Sequence, residues 1–169
     1  MKRASRAVLI GSILVSLSSL SFADEGDNDQ GKKAKFIGVF TPVIQGVGID
    51  TKRCPDPTHP FLLTFTGTAH TTLGSAQLAQ SHCEDPEHTS FRRGLQTITF
   101  GDGTQLFGAY EGRLLATPTT GVDFQLIIDG RYRNTGGTGA LANARGMGIS
   151  AGTVDIRTGG AVVAVSGEL

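Results

Sequence analysis

From Phe100 to Leu169 the chain is a ladder of short runs of alternating apolar and polar residues, cut at close intervals by glycine. At its centre stands Gly136-Gly137-Thr138-Gly139-Ala140-Leu141-Ala142-Asn143-Ala144-Arg145-Gly146. Glycine is destabilising inside a helix, and side chains that alternate with period two line opposite faces of a strand. Long helices are therefore excluded, and a twisted antiparallel sheet is required.

Laid out in order, the runs predict about eight strands. Phe36 to Ile44 is rich in β-branched residues and is expected to break at Gly46 and Gly48, and Cys54 to Pro60 reads as a loop. Phe61 to His70 gives the strongest signal, with Phe61, Leu63 and Phe65 on one face and Leu62, Thr64 and Thr66 on the other. Gly74 to Cys83 is a weaker strand, Glu84 to His88 a charged turn, and Leu95 to Phe100 alternates again. Gly101-Asp102-Gly103 is a hairpin turn returning into Thr104 to Leu115, because Asp-Gly supplies the positive φ that tight hairpins require. After a turn at Pro118 come Val122 to Tyr132, with a bulge or corner at Gly130, then Met147 to Arg157 and Ala161 to Glu168 across Thr158-Gly159-Gly160. Eight such strands fold as an up-and-down barrel or as a β-sandwich. Closure removes exposed sheet edges, and the 24 glycines suit the bends it needs.

The N-terminus reads as an address. Lys2, Arg3 and Arg6 precede an uncharged run from Ala7 to Leu20, and Ser21-Phe22-Ala23 has the small residues that signal peptidase accepts. Residues 1–23 are thus expected to be a signal peptide, and the mature protein to be periplasmic or extracellular. Residues 24–35 are polar and expected to be disordered. The short apolar run is followed by acids, so no stable membrane insertion is expected after cleavage. With no Trp and two Tyr, the chain also lacks the aromatic girdles of an outer-membrane barrel. Residues 36–169 are expected to form one barrel domain. The leader holds three of the 15 basic residues and none of the 15 acidic ones, leaving 12 against 15, and this mildly acidic balance gives no footprint for nucleic acid.

Cys54 and Cys83 are the only cysteines, and export would place them where disulfides persist. His59, His70, His82 and His88 add candidate metal ligands, but no pair has zinc-site spacing, so a disulfide is expected and no metal or cofactor. Gly137 to Ala142 fits a loose dinucleotide pattern without the long helix that pattern needs. Gly148-Ile149-Ser150-Ala151-Gly152 fits a nucleophile elbow without a following helix or a later His. Both read as turn and strand glycines. No catalytic residue is assigned. Glu111, Arg113, Asp123, Asp129, Arg131 and Arg133 are expected as a solvated outer face, with Phe124, Leu126 and Ile128 on the opposite parity facing the core.

The segment Thr104-Gln105-Leu106-Phe107-Gly108-Ala109-Tyr110-Glu111-Gly112, the later Gly137-Thr138-Gly139 with Ala144-x-Gly146, and Gly167-Glu168-Leu169 carry a resemblance. Over Phe61 to Leu169 the chain resembles small exported bacterial proteins whose sheets look like the allene oxide cyclase and dirigent barrel. Ala140-Leu141 stands where those families place an aromatic residue after Gly-Thr-Gly. The resemblance implies a barrel whose apolar interior holds a small hydrophobic molecule, and assembly as a homo-oligomer. Phe65, Phe107, Phe124 and Leu126 are the expected lumen residues. The rival expectations are a cyclase or isomerase using a buried carboxylate, with Glu111 and Asp123 the candidates, and a structural interaction module.

Overall fold

Eight antiparallel strands run in chain order and the last pairs with the first, closing the sheet into a barrel. The computed structural model describes residues 33–117 and 123–169. The strands are β1 (Lys35–Ile49), β2 (Phe61–Thr71), β3 (Gly74–Glu84), β4 (Ser90–Phe100), β5 (Gln105–Ala116), β6 (Phe124–Gly137), β7 (Gly146–Asp155) and β8 (Gly160–Glu168). Closure settles the choice between barrel and sandwich. Eight strands enclose an interior that side chains fill or that holds one small ligand.

The seam joins the two ends of the domain. Phe36 pairs with Gly167 and Val39 with Ala164, and the Leu169 amide donates to the Ala34 carbonyl at 2.8 Å. Lys33 reaches Glu168 at 3.3 Å, so the polar terminus expected to be loose up to Lys35 is held from Lys33 onward. The expected signal peptide, residues 24–32 and the Pro118 turn lie outside the described residues.

The turns follow their chemistry. Gly103 takes φ 84°, and the Asp102 carboxylate accepts from the amide and hydroxyl of Thr104 at 2.8 and 2.9 Å. Gly159 at φ 68° turns β7 into β8. Gly46 does not end β1; the strand shifts register there and continues to Ile49. Gly137 to Ala142 closes β6 and enters a single 3-10 turn (Gly139–Leu141), and Ser150 lies mid-strand in β7, so neither motif pattern has the helix it would need.

Two bulges decide which side chains face inward. In β4 the register shifts between Phe91 and Gly94, with Arg93 at φ 53°; in β6 it shifts between Ile127 and Gly130, with Asp129 at φ 53°. Each adds one residue to its strand and resets the alternation. Ile127 and Gly130 therefore both face in, three residues apart, with Tyr132 and Asn134 following. Phe124 and Leu126 fall on the outer face together with Arg131 and Arg133, which corrects the expectation that these two parities oppose one another.

One end of the barrel is packed solid. Phe36, Ala69, Ala76, Leu78, Ile98 and Leu106 are buried there with Phe40, Tyr132 and Val165, and Leu141, Ala144 and Leu169 pack against them. Small residues on β2 and β3 make room for the rings on β1, so the taper is filled. This end is closed.

Candidate functional site

Above the sealed end the interior opens into a cavity of about 350 Å³. That is within the range of small-molecule sites. Phe40, Tyr132 and Val165 belong both to the packed cluster and to the cavity wall, so they form its floor. Val47, 61% exposed, and Ile156, 55% exposed, stand at the rim of the far end.

The wall has two characters. On β1, β7 and β8 it is apolar, with Phe40, Ile44, Val154, Ala161 and Val163 interrupted among the described residues only by Ser150. On β3 every lining side chain is polar: Gln80, His82 and Glu84 point in at alternate positions. Gln80 donates to Gln96 of β4 at 3.2 Å, so the two amides satisfy part of each other. Asn134, in the same cross-strand row through Gly108, is buried with neither amide atom paired among the described residues.

His82 sits in a cage of rings. Phe91 stacks on it at a centroid distance of 4.8 Å, Phe65 tilts against it at 4.9 Å, and Tyr110 meets it edge-on at 5.8 Å. The bulge in β4 is what aims Phe91 inward, and glycines opposite the rings give them space. Phe91 pairs with Gly112 and Gly94 with Tyr110, so each strand of the β4–β5 pair lays a ring over the other's glycine. A Cβ at Gly94 would lie 2.7 Å from the Tyr110 ring, and one at Gly112 2.6 Å from that of Phe91. Neither ring could keep its place over a larger residue.

Nδ1 of His82 lies 3.1 Å from the Tyr110 hydroxyl, while Nε2 is buried with no partner among the described residues. Burial, reinforced by the nearby Arg53 charge, holds the His82 pKa down at about 3, and the ring is neutral at ordinary pH. Burial also pushes the Tyr110 hydroxyl upward and that of Tyr132 up to about 12. A histidine depressed in the folded state takes up its proton on unfolding, so its contribution to stability falls as pH drops below 6.5. Between pH 7.5 and 5 the protein is expected to lose about 2 kcal/mol relative to a His82→Phe variant. Urea titrations of both proteins across that range check it, since every other titrating group is common to the two.

Near the mouth the Glu84 carboxylate is raised above its usual range by burial, although His88 Nδ1 lies 3.2 Å away. That contact lacks hydrogen-bond alignment, since Glu84 Oε2 has no hydrogen-bond partner among the described residues. His88 in turn stacks on Phe61 at 6.4 Å.

Outside this wall a loop covers Cys83. Cys54 and Cys83 form the expected disulfide, their Cα atoms 5.6 Å apart, and it ties the loop after β1 to the end of β3. A chain of polar contacts ties it again. The Thr58 hydroxyl donates to Asp56 at 2.7 Å and lies 2.9 Å from His59 Nδ1. His59 Nε2 lies 2.9 Å from Ser90 Oγ, whose proton goes to Asp85 Oδ2 at 2.6 Å. Burial alone would raise the Asp85 pKa, but hydrogen bonds from Ser90 and Thr89 outweigh it and hold it low. With its proton committed to a carboxylate, Ser90 accepts from His59, the reverse of what an activated nucleophile needs. This network is a clamp.

Of the four expected lumen residues, Phe65 lines the cavity. Phe107 does not, because its neighbours Leu106 and Gly108 are the buried ones and β5 presents the other parity inward. Phe124 and Leu126, each 37% exposed, are placed outside by the β6 bulge. Glu111 faces out opposite Arg131, and Asp123 is half exposed and 3.3 Å from Arg157. Glu84 is the one carboxylate on the cavity wall among the described residues. Sequence reading missed His82 and Tyr110, although His82 follows Leu78 and Gln80 in strict alternation.

Among the described residues no group of three or more His, Cys, Asp or Glu side chains is placed to hold a metal ion. No protein-family model, curated protein or solved structure matches the chain.

Proposed function

We propose that this protein is an exported binding barrel that takes up one small, largely apolar molecule. The observation that carries the reading is the half-sealed interior: a packed floor beneath an apolar cavity open at one end. A core that served stability alone would be filled along its whole length, since empty apolar volume weakens a fold. The disulfide and the leader-like residues 1–23 support export. Neither carboxylate nominated for the cyclase alternative, Glu111 or Asp123, lines the cavity.

The neutral fluorescent probe N-phenyl-1-naphthylamine tests the reading. Saturable uptake of one probe per barrel is expected. Val163→Trp, which fills the aliphatic wall, is expected to weaken uptake at least tenfold. The chain has no Trp of its own, so quenching of the new indole reports folding separately. Absence of saturable uptake by the wild-type protein, or undiminished uptake by the Trp variant, would overturn the reading.

A further inference from the structure

We infer that the outer face of β1, β8 and β7 is an interface at which two copies of this chain pair about a two-fold axis. This surface is distinct from the cavity, because it is built from the side chains of the opposite parity.

The register places its residues. Val39 pairs with Ala164 and Ala164 with Ala151, so these three stand side by side at the middle of the face. One row towards the sealed end lie Ile37, Ser166 and Ile149. One row towards the mouth Val162 pairs with Thr153, and Thr153 with Leu126 of β6. All are exposed, Ile149 by 68%, and Met147 beyond it by 73%. From Ile37 to Val43, Ile149 to Thr153 and Val162 to Ser166 the outward positions carry no charge. With strands about 4.8 Å apart and like-facing residues about 6.8 Å apart, this part of the sheet covers roughly 500 Å². Monomers leave bare apolar patches of about 300–600 Å², so this one is large for a free surface. Two such faces with their margins bury more than about 1,000 Å², which suffices for a specific contact.

The charges at its margins name the occupant. At the sealed end Arg131 stands beside Ile149 and Arg133 beside Met147. Neither guanidinium has an ion-pair partner among the described residues, although Glu111 lies across from Arg131 on β5. Lys33 and Glu168, also at this end, already pair with each other. At the mouth end Asp155 stands beside Phe124, which follows Asp123 in the chain. Those two carboxylates share one cation, Arg157, at 3.7 and 3.3 Å. One end is therefore short of anions and the other of cations. A two-fold axis along the row of Val39, Ala164 and Ala151 lays each end over its opposite, twice in one interface, and sets small side chains against their own copies. An anionic lipid surface suits the arginines and opposes the aspartates. A second copy fits the whole face, and a membrane only half of it.

Sedimentation velocity over about 1–100 µM, where a contact of this size closes, is expected to show a dimer. Ala151→Asp sets two carboxylates against each other near the axis and is expected to weaken the dimer at least about a hundredfold. Replacing both arginines, Arg131→Asp with Arg133→Asp, is expected to weaken it about tenfold. Near-ultraviolet circular dichroism establishes that each variant is folded. Should Ala151→Asp not fold, Ile149→Asp, at a position largely open to solvent, takes its place. A monomer throughout the range overturns the inference, as does a dimer that Ala151→Asp leaves intact. A dimer indifferent to loss of the arginines, or an assembly of three copies, overturns it as well. Monomers that float with vesicles of phosphatidylcholine and phosphatidylglycerol would assign the face to a membrane and overturn it too. Uptake of N-phenyl-1-naphthylamine into the cavity is expected to be unchanged by these variants, so failure of the interface leaves the binding reading standing.

Discussion

Phe36→Ala is expected to destabilise the barrel by about 3–5 kcal/mol, the range for truncating a fully buried aromatic ring. Phe36 has no exposed surface, and its ring meets Tyr132 edge-on with centroids 6.0 Å apart. An aromatic pair of this kind adds to the loss from burial alone. Domains are stable by only about 5–15 kcal/mol, so one side chain at the sealed end carries a large share of the total. Denaturant titration measures the effect, with the midpoint falling and the slope unchanged. Val47→Ala at the exposed rim supplies the contrast and is expected to shift stability by no more than about 0.5 kcal/mol. A loss of under about 1.5 kcal/mol at Phe36 would mean that the closed end is not close-packed.

Removing the disulfide is the second large effect. Cys54 and Cys83 lie 29 residues apart, and closing a loop of that length restricts the unfolded chain by about 3.6 kcal/mol on the chain-entropy account. For a domain of this size the Cys54→Ala/Cys83→Ala double variant is expected to melt roughly 10–13 °C lower. The effect acts through the unfolded state, so the folded variant should still take up N-phenyl-1-naphthylamine. Calorimetry together with probe titration separates the two. A drop of less than about 3 °C would overturn the chain-entropy account for this loop.

Strand number, the disulfide and two of the turns were legible because each rests on local chemistry: period-two alternation, a single pair of cysteines, and Asp-Gly or Gly-Gly at positive φ. Lumen orientation is non-local, and there the reading failed in two ways. Leu106 and Phe107 are adjacent and both apolar, so nothing within β5 says which one points inward; the barrel on either side of it decides. At Phe124 and Leu126 the alternation is real, but the extra residue at Asp129 reverses its phase relative to Tyr132. Gly130 was read as a bulge or corner, and the bulge is there, yet its consequence follows only if the parity is reset behind it. The His82 cage depends on rings seated over glycines of neighbouring strands, and those partners become visible only with the register. Part of the charged face was readable, because Arg113 and Asp129 need nothing beyond solvent and one another, whereas the β6 bulge takes Asp123 off the parity of Arg131 and Arg133.

A vessel packed tight at its base and hollow above distributes its cohesion unevenly. The large rings and branched side chains that resist separation gather where β1 begins and β8 ends, whereas much of the upper wall borders open volume. Local opening begins where buried contacts are fewest, so the brim is the part that yields first. An occupant would therefore do more than fill space: it would lend the upper strands the inner support that the lower ones own already.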